Sequence, residues 1–353
     1  MKPLLKGLCI GFLIGVPLLA AGTFFYSRSL EQAVPETAEE PSAEREEPET
    51  GTAGREKREE PGTAEGIPES PAEESKPSGE IPEDSGEEPV REPEPGESGS
   101  VLLAFAGDVM FSDPFLASYD KSGISAIADS GMLGHMQNAD LFLINEEFPF
   151  SLRGEAMKDK QFTFRTDPKY VKIFQELGVD IATVANNHAL DFGRDAFCDT
   201  LDTLKDADIT SIGGGYNLAE ASAPAVRTID GQTFAIFGAT RVSPSSTWYA
   251  SDSQAGLFQT YDATLLNRKI AEAHAEYDHV IVFVHWGVER NETPEDYQRS
   301  LAKGYIDAGA DLVVGCHPHV LQGFEYYNGV PIIYSLGNYL FGNRDGDTVL
   351  LEA

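Results

Sequence analysis

The sequence predicts an α/β fold over residues 101–353, preceded by an apolar span and a long acidic tract. Two observations carry the fold class. Short, nearly continuous apolar runs recur between Gly, Asn and Asp, and stretches of helical length separate them. A third observation concerns function: residues able to bind metal cluster where those apolar runs end.

Residues 7–26 form an uncharged, mostly apolar run of about 20 residues, long enough to cross a hydrocarbon core as a helix. Lys2 and Lys6 precede it, so the positive-inside rule leaves residues 1–6 in the cytoplasm and the body outside. The expectation is a single-pass membrane protein with an extracytoplasmic C-terminal part. A cleaved signal peptide is the alternative, with Leu19-Ala20-Ala21-Gly22 as its site, but Phe24, Phe25 and Tyr26 carry the apolar run beyond it.

Residues 27–100 hold 23 acidic and 7 basic side chains, a net of −16 out of −32 for the whole chain, and 11 of its 21 prolines. Such a segment cannot bury enough apolar surface to offset the entropy of ordering, so it reads as a disordered, extended tether. The acidic balance excludes nucleic acid as a partner, because phosphate binding needs clustered Lys and Arg. Cys9, Cys198 and Cys316 have no zinc-ribbon spacing and give no disulfide framework.

In the body, residues 101–106, 141–144, 181–185, 234–237, 280–284, 312–314 and 332–334 read as strands buried on both faces. Residues 167–177, 195–207, 263–277 and 297–308 read as the helices between them. Residues 347–353 read as the start of a further strand, which suggests a chain cut short at its end.

Metal-binding residue types then fall just past the strand ends. Asp108 follows the first strand, Asn145 and Glu147 the second, Asn187 and His188 the third, His285 the fifth, and His317 and His319 the sixth. The carboxyl ends of strands line the ligand crevice in α/β sheets, so these loops deliver carboxylate, amide and imidazole groups to one edge. Singly, each has an ordinary reading: an Asp as a turn or cap, a buried His as hydrogen-bonded core, Asn187 as a left-handed turn residue. His-x-His is more telling, because positions i and i+2 of an extended segment share a face. Four of the seven histidines lie at these ends, whereas His135, His274 and His279 read as surface residues.

The blocks Gly107-Asp108-Val109-Met110, Asn145-Glu146-Glu147-Phe148-Pro149, Asn186-Asn187-His188-Ala189-Leu190-Asp191, His285-Trp286-Gly287, Cys316-His317-Pro318-His319 and Ser335-Leu336-Gly337-Asn338-Tyr339 occur in this order. In that order they resemble the CapA family of bacterial capsule and poly-γ-glutamate synthesis proteins. That family in turn resembles calcineurin-like metallophosphoesterases. The resemblance implies an α/β/β/α sandwich with Asp108, Glu147, Asn187, His285, His317 and His319 as metal ligands. His188 and Asn145 become the catalytic candidates, His188 as the acid that protonates a leaving group. One or two divalent ions would suit this N/O donor set, with Zn, Mn or Fe the best matches, and a water activated there would be the nucleophile.

Two departures separate this chain from a dinuclear phosphatase. Met110 stands where Asp-x-His would place a histidine, and Asn145 and Glu147 replace the usual Asp. Cys316 reads as a small buried residue, with a soft ligand as the alternative. Lys160 and Arg165 could meet a polyanion, though surface ion pairs are the plainer role. The implied function is synthesis, anchoring or trimming of an anionic extracellular polymer by metal-assisted amide hydrolysis or transfer. The alternatives are a phosphoesterase on a cell-surface ester, and a non-catalytic polymer-binding or export subunit working with membrane synthetase partners.

Overall fold

The computed structural model describes residues 100–342 and 348–353. The expected anchor (7–26) and all but the last residue of the expected tether (27–100) lie outside the described residues. No helix among the described residues is long and apolar enough to cross a membrane.

The first half runs β1 (Leu103–Met110), α1 (Asp113–Ser122), α2 (Ser130–Asn138), β2 (Leu141–Glu146), α3 (Val171–Leu177), β3 (Ile181–Thr183), α4 (Arg194–Asp206) and β4 (Thr210–Ile212). A small ladder follows from β5 (Gly214–Gly215), with α5 (Leu218–Ala221), β6 (Ala225–Ile229), β7 (Gln232–Thr240) and β8 (Gly256–Leu257). The second half comprises α6 (Thr264–Glu276), β9 (His279–His285), α7 (Asp296–Ala308), β10 (Leu312–Cys316), β11 (Leu321–Tyr327), β12 (Val330–Leu336), β13 (Asn338–Phe341) and β14 (Leu350–Glu352).

Two six-stranded sheets result. One has the order β13-β1-β2-β3-β4 with β14 antiparallel on β1, and the other has the order β11-β12-β10-β9-β7-β6. The central strands of both are parallel. Side-chain parity then shows the layers. Leu103, Phe105, Leu141 and Leu143 share one core with Ile281, Phe283, Leu312 and Val314, so these faces of the two sheets meet. Phe105 and Phe283 touch edge to face across that seam, with ring centroids 6.1 Å apart, and burying one such ring is worth about 1.5–3 kcal/mol. Alternate residues of the first sheet, Ala104, Phe142 and Ile144, pack with Phe174 of α3 and Leu201 and Leu204 of α4. Val280, Val282 and Val284 of the second pack with Ile270 of α6 and Tyr305 of α7. The order of layers is therefore helix, sheet, sheet, helix, the α/β/β/α arrangement that the family resemblance implied.

Several elements differ from the sequence reading. β1 and β9 run through the residues expected to follow them, so Asp108 and His285 are strand residues. Helices α1 and α2 were not expected. Each begins at a side-chain cap, Ser112 Oγ accepting from Phe115 N–H at 3.4 Å and Asp129 Oδ1 from Met132 N–H at 2.9 Å. His279 is buried, not superficial: it opens β9, stacks on Phe234 at 4.8 Å and contacts Gln232 Oε1 through Nε2 at 2.9 Å. His135 and His274 are exposed, as expected.

Candidate metal centre

Strand register brings the site residues into line. In the first sheet Asn338 lies opposite Asp108, Asp108 opposite Asn145, and Asn145 opposite Thr183. In the second, Thr240 lies opposite His285 and His285 opposite Cys316. Asn145, His285 and Cys316 have the parity of Leu143, Phe283 and Val314, so they end the seam between the sheets at its carboxyl edge. A bulge between Phe105 and Asp108 keeps Asp108 in that row. Gly107 permits the approach that this needs: a Cβ there would lie 1.9 Å from the Gly337 carbonyl oxygen, which accepts from Asp108 N–H at 2.9 Å.

All six expected ligand residues and both catalytic candidates converge here and are buried, His319 through its side chain. In each of two groups the donor atoms lie within 4.8 Å of one another, Asp108, His285 and Cys316 forming one and Glu147, His317 and His319 the other. The His285 ring links them. Its Nε2–H donates to Asn187 Oδ1 at 2.9 Å and lies 3.6 Å from Glu147 Oε1. Its Nδ1 therefore carries the lone pair, 3.5 Å from Cys316 Sγ and 3.3 Å from Asn145 Nδ2. His319 Nδ1 lies 3.2 Å from Asp108 Oδ2, 3.9 Å from Glu147 Oε2 and 2.8 Å from Asn338 Oδ1.

The donors have the marks of a cation site. Both Glu147 oxygens and His317 Nδ1 are buried without a hydrogen-bond partner among the described residues. Orphaned buried polar atoms are rare in folded chains because each costs its full desolvation. Burial holds the Glu147 carboxyl well above the usual range, while the His319 charge pulls it down. Burial pushes His285 well below its usual range and His317 down to about 3. Burial alone would lower His319 too, but Glu147 and Asp108 prevail and raise it to about 9. Imidazole lone pairs beside carboxylates are a donor set that fits a divalent transition metal.

The His-x-His pair reaches the site by a route that pleat geometry does not give. His317 and His319 have φ of 103° and 58°, both in the left-handed region. Non-glycine residues held there cost about 1–3 kcal/mol each and persist where the surroundings over-determine them, commonly at functional sites.

His188 stands beside the donors in a second arrangement. Its Nδ1–H donates to Asp191 Oδ2 at 2.7 Å, which leaves Nε2 with the lone pair, and Phe164 stacks on its ring at 4.2 Å. Burial lowers its pKa, against the pull of Asp191. Asp191 also pairs with Lys160 and accepts from Phe164 N–H at 2.8 Å. Lys160 is therefore no surface ion pair. Its ammonium donates to the Asn187 carbonyl at 2.5 Å and lies 3.0 Å from His188 Nδ1. Arg165, by contrast, lies over the Phe192 ring at 4.2 Å.

Asn145 is a strut: its Nδ2 donates to Asp108 Oδ1 at 2.7 Å and its Oδ1 accepts from Asn186 at 3.2 Å. Met110 packs against the helix-side core of the first sheet and supplies no nitrogen donor. Cys316 is the small buried residue expected, packing in the inter-sheet core, and its sulfur lies near the Asp108 and His285 donor atoms. Sequence reasoning gave no role to Asp191, Asn186 or Asn338. The signals for Asp191 are its place at the end of the Asn186–Asp191 block and its spacing three residues after His188.

Fold and site together define a class: a two-sheet sandwich flanked by helices, with a buried histidine–carboxylate cluster at the strand ends. Within that class, the chain belongs to the family described as bacterial capsule synthesis protein PGA_cap, which it matches over residues 102–343. It is 36% identical over 261 residues to the PGA biosynthesis protein CapA of Bacillus subtilis (strain 168), covering 72% of this chain and 68% of that protein. It is 29% identical over 266 residues to the capsule biosynthesis protein CapA of Bacillus anthracis, covering 72% of this chain and 64% of that one. Among solved structures, a hypothetical protein from Thermus thermophilus is similar at a TM-score of 0.41 and 17% identity, over 67% of this chain and 76% of that one.

Proposed function

We propose that the chain acts on an anionic extracellular polymer, poly-γ-glutamate or a related capsule, by metal-assisted hydrolysis or transfer at an amide bond. The observation that carries the reading is the set of orphaned donors on Glu147 and His317, at the carboxyl edge of the seam and beside His188. The names of the relatives, which concern PGA and capsule biosynthesis, support the polymer. The apolar span over 7–26 behind Lys2 and Lys6 supports a membrane-anchored body facing outward. Membrane synthetase subunits are the partners this placement suits.

Asp108, Glu147, Asn187, His285, His317 and His319 would hold one or two Zn, Mn or Fe ions, and Cys316 lies beside Asp108 and His285 of that set. Such an ion supplies Lewis-acid polarisation of a carbonyl and a lowered pKa for water. The chain's own residues handle the proton. His188, neutral and fixed by Asp191, accepts a proton at Nε2 from the attacking water and returns it to the departing nitrogen. The C–N bond breaks, a C–O bond forms, and the proton leaves with the amine. A polymer amine replaces water in the transfer reaction. Lys160 and Asp191 balance each other's charge behind the imidazole, and Asn145 and Asn187 hold Asp108 and His285 in position.

The test incubates the metal-loaded, full-length chain with poly-γ-glutamate and with a generic phosphate ester. Shortening of the polymer with the ester untouched is the expected result. Turnover of the ester alone would replace this reading with a phosphoesterase. Polymer binding without turnover of either would leave a non-catalytic assembly subunit.

A further inference from the structure

Beyond the donors, the carboxyl edge of the second sheet carries a cation that the chemistry above does not use. Arg241 follows Thr240, the residue opposite His285, and its backbone N–H donates to the His285 carbonyl at 2.7 Å. Neighbouring strands lie about 4.8 Å apart, so Arg241 is rooted one strand-width from a proposed ligand. Its guanidinium lies 3.9 Å from the centroid of the Tyr261 ring and 5.1 Å from that of Tyr297. Both rings are tied in place. Tyr297 Oη accepts from Gly287 N–H at 2.7 Å, in the loop that leaves His285, and Tyr261 Oη accepts from Ser243 N–H at 3.3 Å.

The charge of Arg241 is unspent. Among the described residues its guanidinium has rings for neighbours and no ion pair or hydrogen bond, in a chain with 58 acidic residues. Lys160, a cation beside the donors, is already matched by Asp191. Tyr261 is 44% exposed, so the frame opens to solvent. A planar guanidinium held between rings keeps its fork pre-organised for bidentate hydrogen bonds to a carboxylate.

We propose that Arg241, framed by Tyr261 and Tyr297, is a subsite for a carboxylate of an anionic substrate chain, carried by the residue next to the bond placed at the His285 cluster. The proposal rests on the reading of that cluster as a site for an anionic polymer. It adds the element that would set register, because a polymer with one carboxylate per repeat can seat a carboxylate at Arg241 only in certain alignments of its amide bonds.

The experiment measures binding of a short γ-linked glutamate oligomer, and of its uncharged methyl ester, to the full-length wild-type, Arg241→Gln and Arg241→Lys chains. Turnover is followed in parallel. Arg241→Gln is expected to weaken oligomer binding and raise KM by about tenfold, the scale of one charge-assisted contact, with kcat within about twofold. The methyl ester should bind equally weakly to all three chains, and Arg241→Lys should fall between wild type and Arg241→Gln. Equal oligomer binding by wild type and Arg241→Gln would overturn the subsite and leave the proposed function standing. A loss of binding that affects oligomer and ester alike, with a lower thermal midpoint, would also overturn it by making Arg241 a structural staple. Arg241-dependent binding without cleavage would keep the subsite and remove the hydrolysis reading.

Discussion

A Glu147→Gln chain is expected to lose its divalent metal, and with it the thermal stabilisation that metal confers. Glu147 is fully buried among Asp108, His285 and His319, and neither of its oxygens has a hydrogen-bond partner among the described residues. Without a cation, the fold keeps two carboxylates near each other in a site where burial alone disfavours the ionised form. With an ion present at about 100 times its Kd, binding adds about 2.7 kcal/mol to stability. For a body of this size that is a rise of roughly 5–10 °C in Tm. Thermal unfolding of wild type should show this rise on adding Zn or Mn after chelation, whereas Glu147→Gln should show less than a quarter of it. The metal-free variant should melt no lower than metal-free wild type, because the substitution removes a buried acid without opening a cavity. A variant that kept the full metal-dependent rise would take Glu147 out of the donor set.

The second large effect concerns Asp191. This carboxylate accepts from His188, Lys160 and the Phe164 backbone together. In Asp191→Asn the amide has one acceptor oxygen and two N–H donors, so it cannot serve both the imidazole and the ammonium. His188 then loses the partner that fixes its tautomer, and kcat on the polymer should fall by about 10²–10⁴ with little change in KM. Lys160, largely buried, loses its counter-charge, and breaking a buried pair costs about 3–5 kcal/mol. Metal content should stay at the wild-type level, which separates this variant from Glu147→Gln. Steady-state kinetics with metal analysis on the same preparation checks both halves. A chain with unchanged kcat would show that His188 needs no orientation from Asp191.

The parts of the fold that could be read from sequence were those whose signal is local. Strands such as 280–284 and 312–314 are apolar on both faces, so each announced itself as buried. For the same reason their pattern does not say which face meets a helix and which meets the other sheet, and the division into two sheets came from resemblance alone. Helix α2 carries Gly131 and Gly134, which weaken its propensity, and its start depends on the Asp129 cap. In the site, the residue types and strand ends were legible. The backbone that delivers His317 and His319 was not, because an extended His-x-His was assumed where the chain takes two left-handed residues. Lys160 looked like a surface charge, since its partner Asp191 lies 31 residues further on. Arg241 gave no signal at all, for its two rings come from other elements of the chain and only the fold assembles them.

The seam between the two sheets, with its orphaned Glu147 and His317 donors, is proposed to end in a divalent metal centre. Its most direct test is the metal content of the full-length chain purified without chelator, read by elemental analysis. One or two Zn, Mn or Fe ions per chain, removed by dialysis against chelator and regained on adding back the same metal, is the result predicted. A chain that holds no transition metal as purified, and takes up none when supplied with all three, would contradict it.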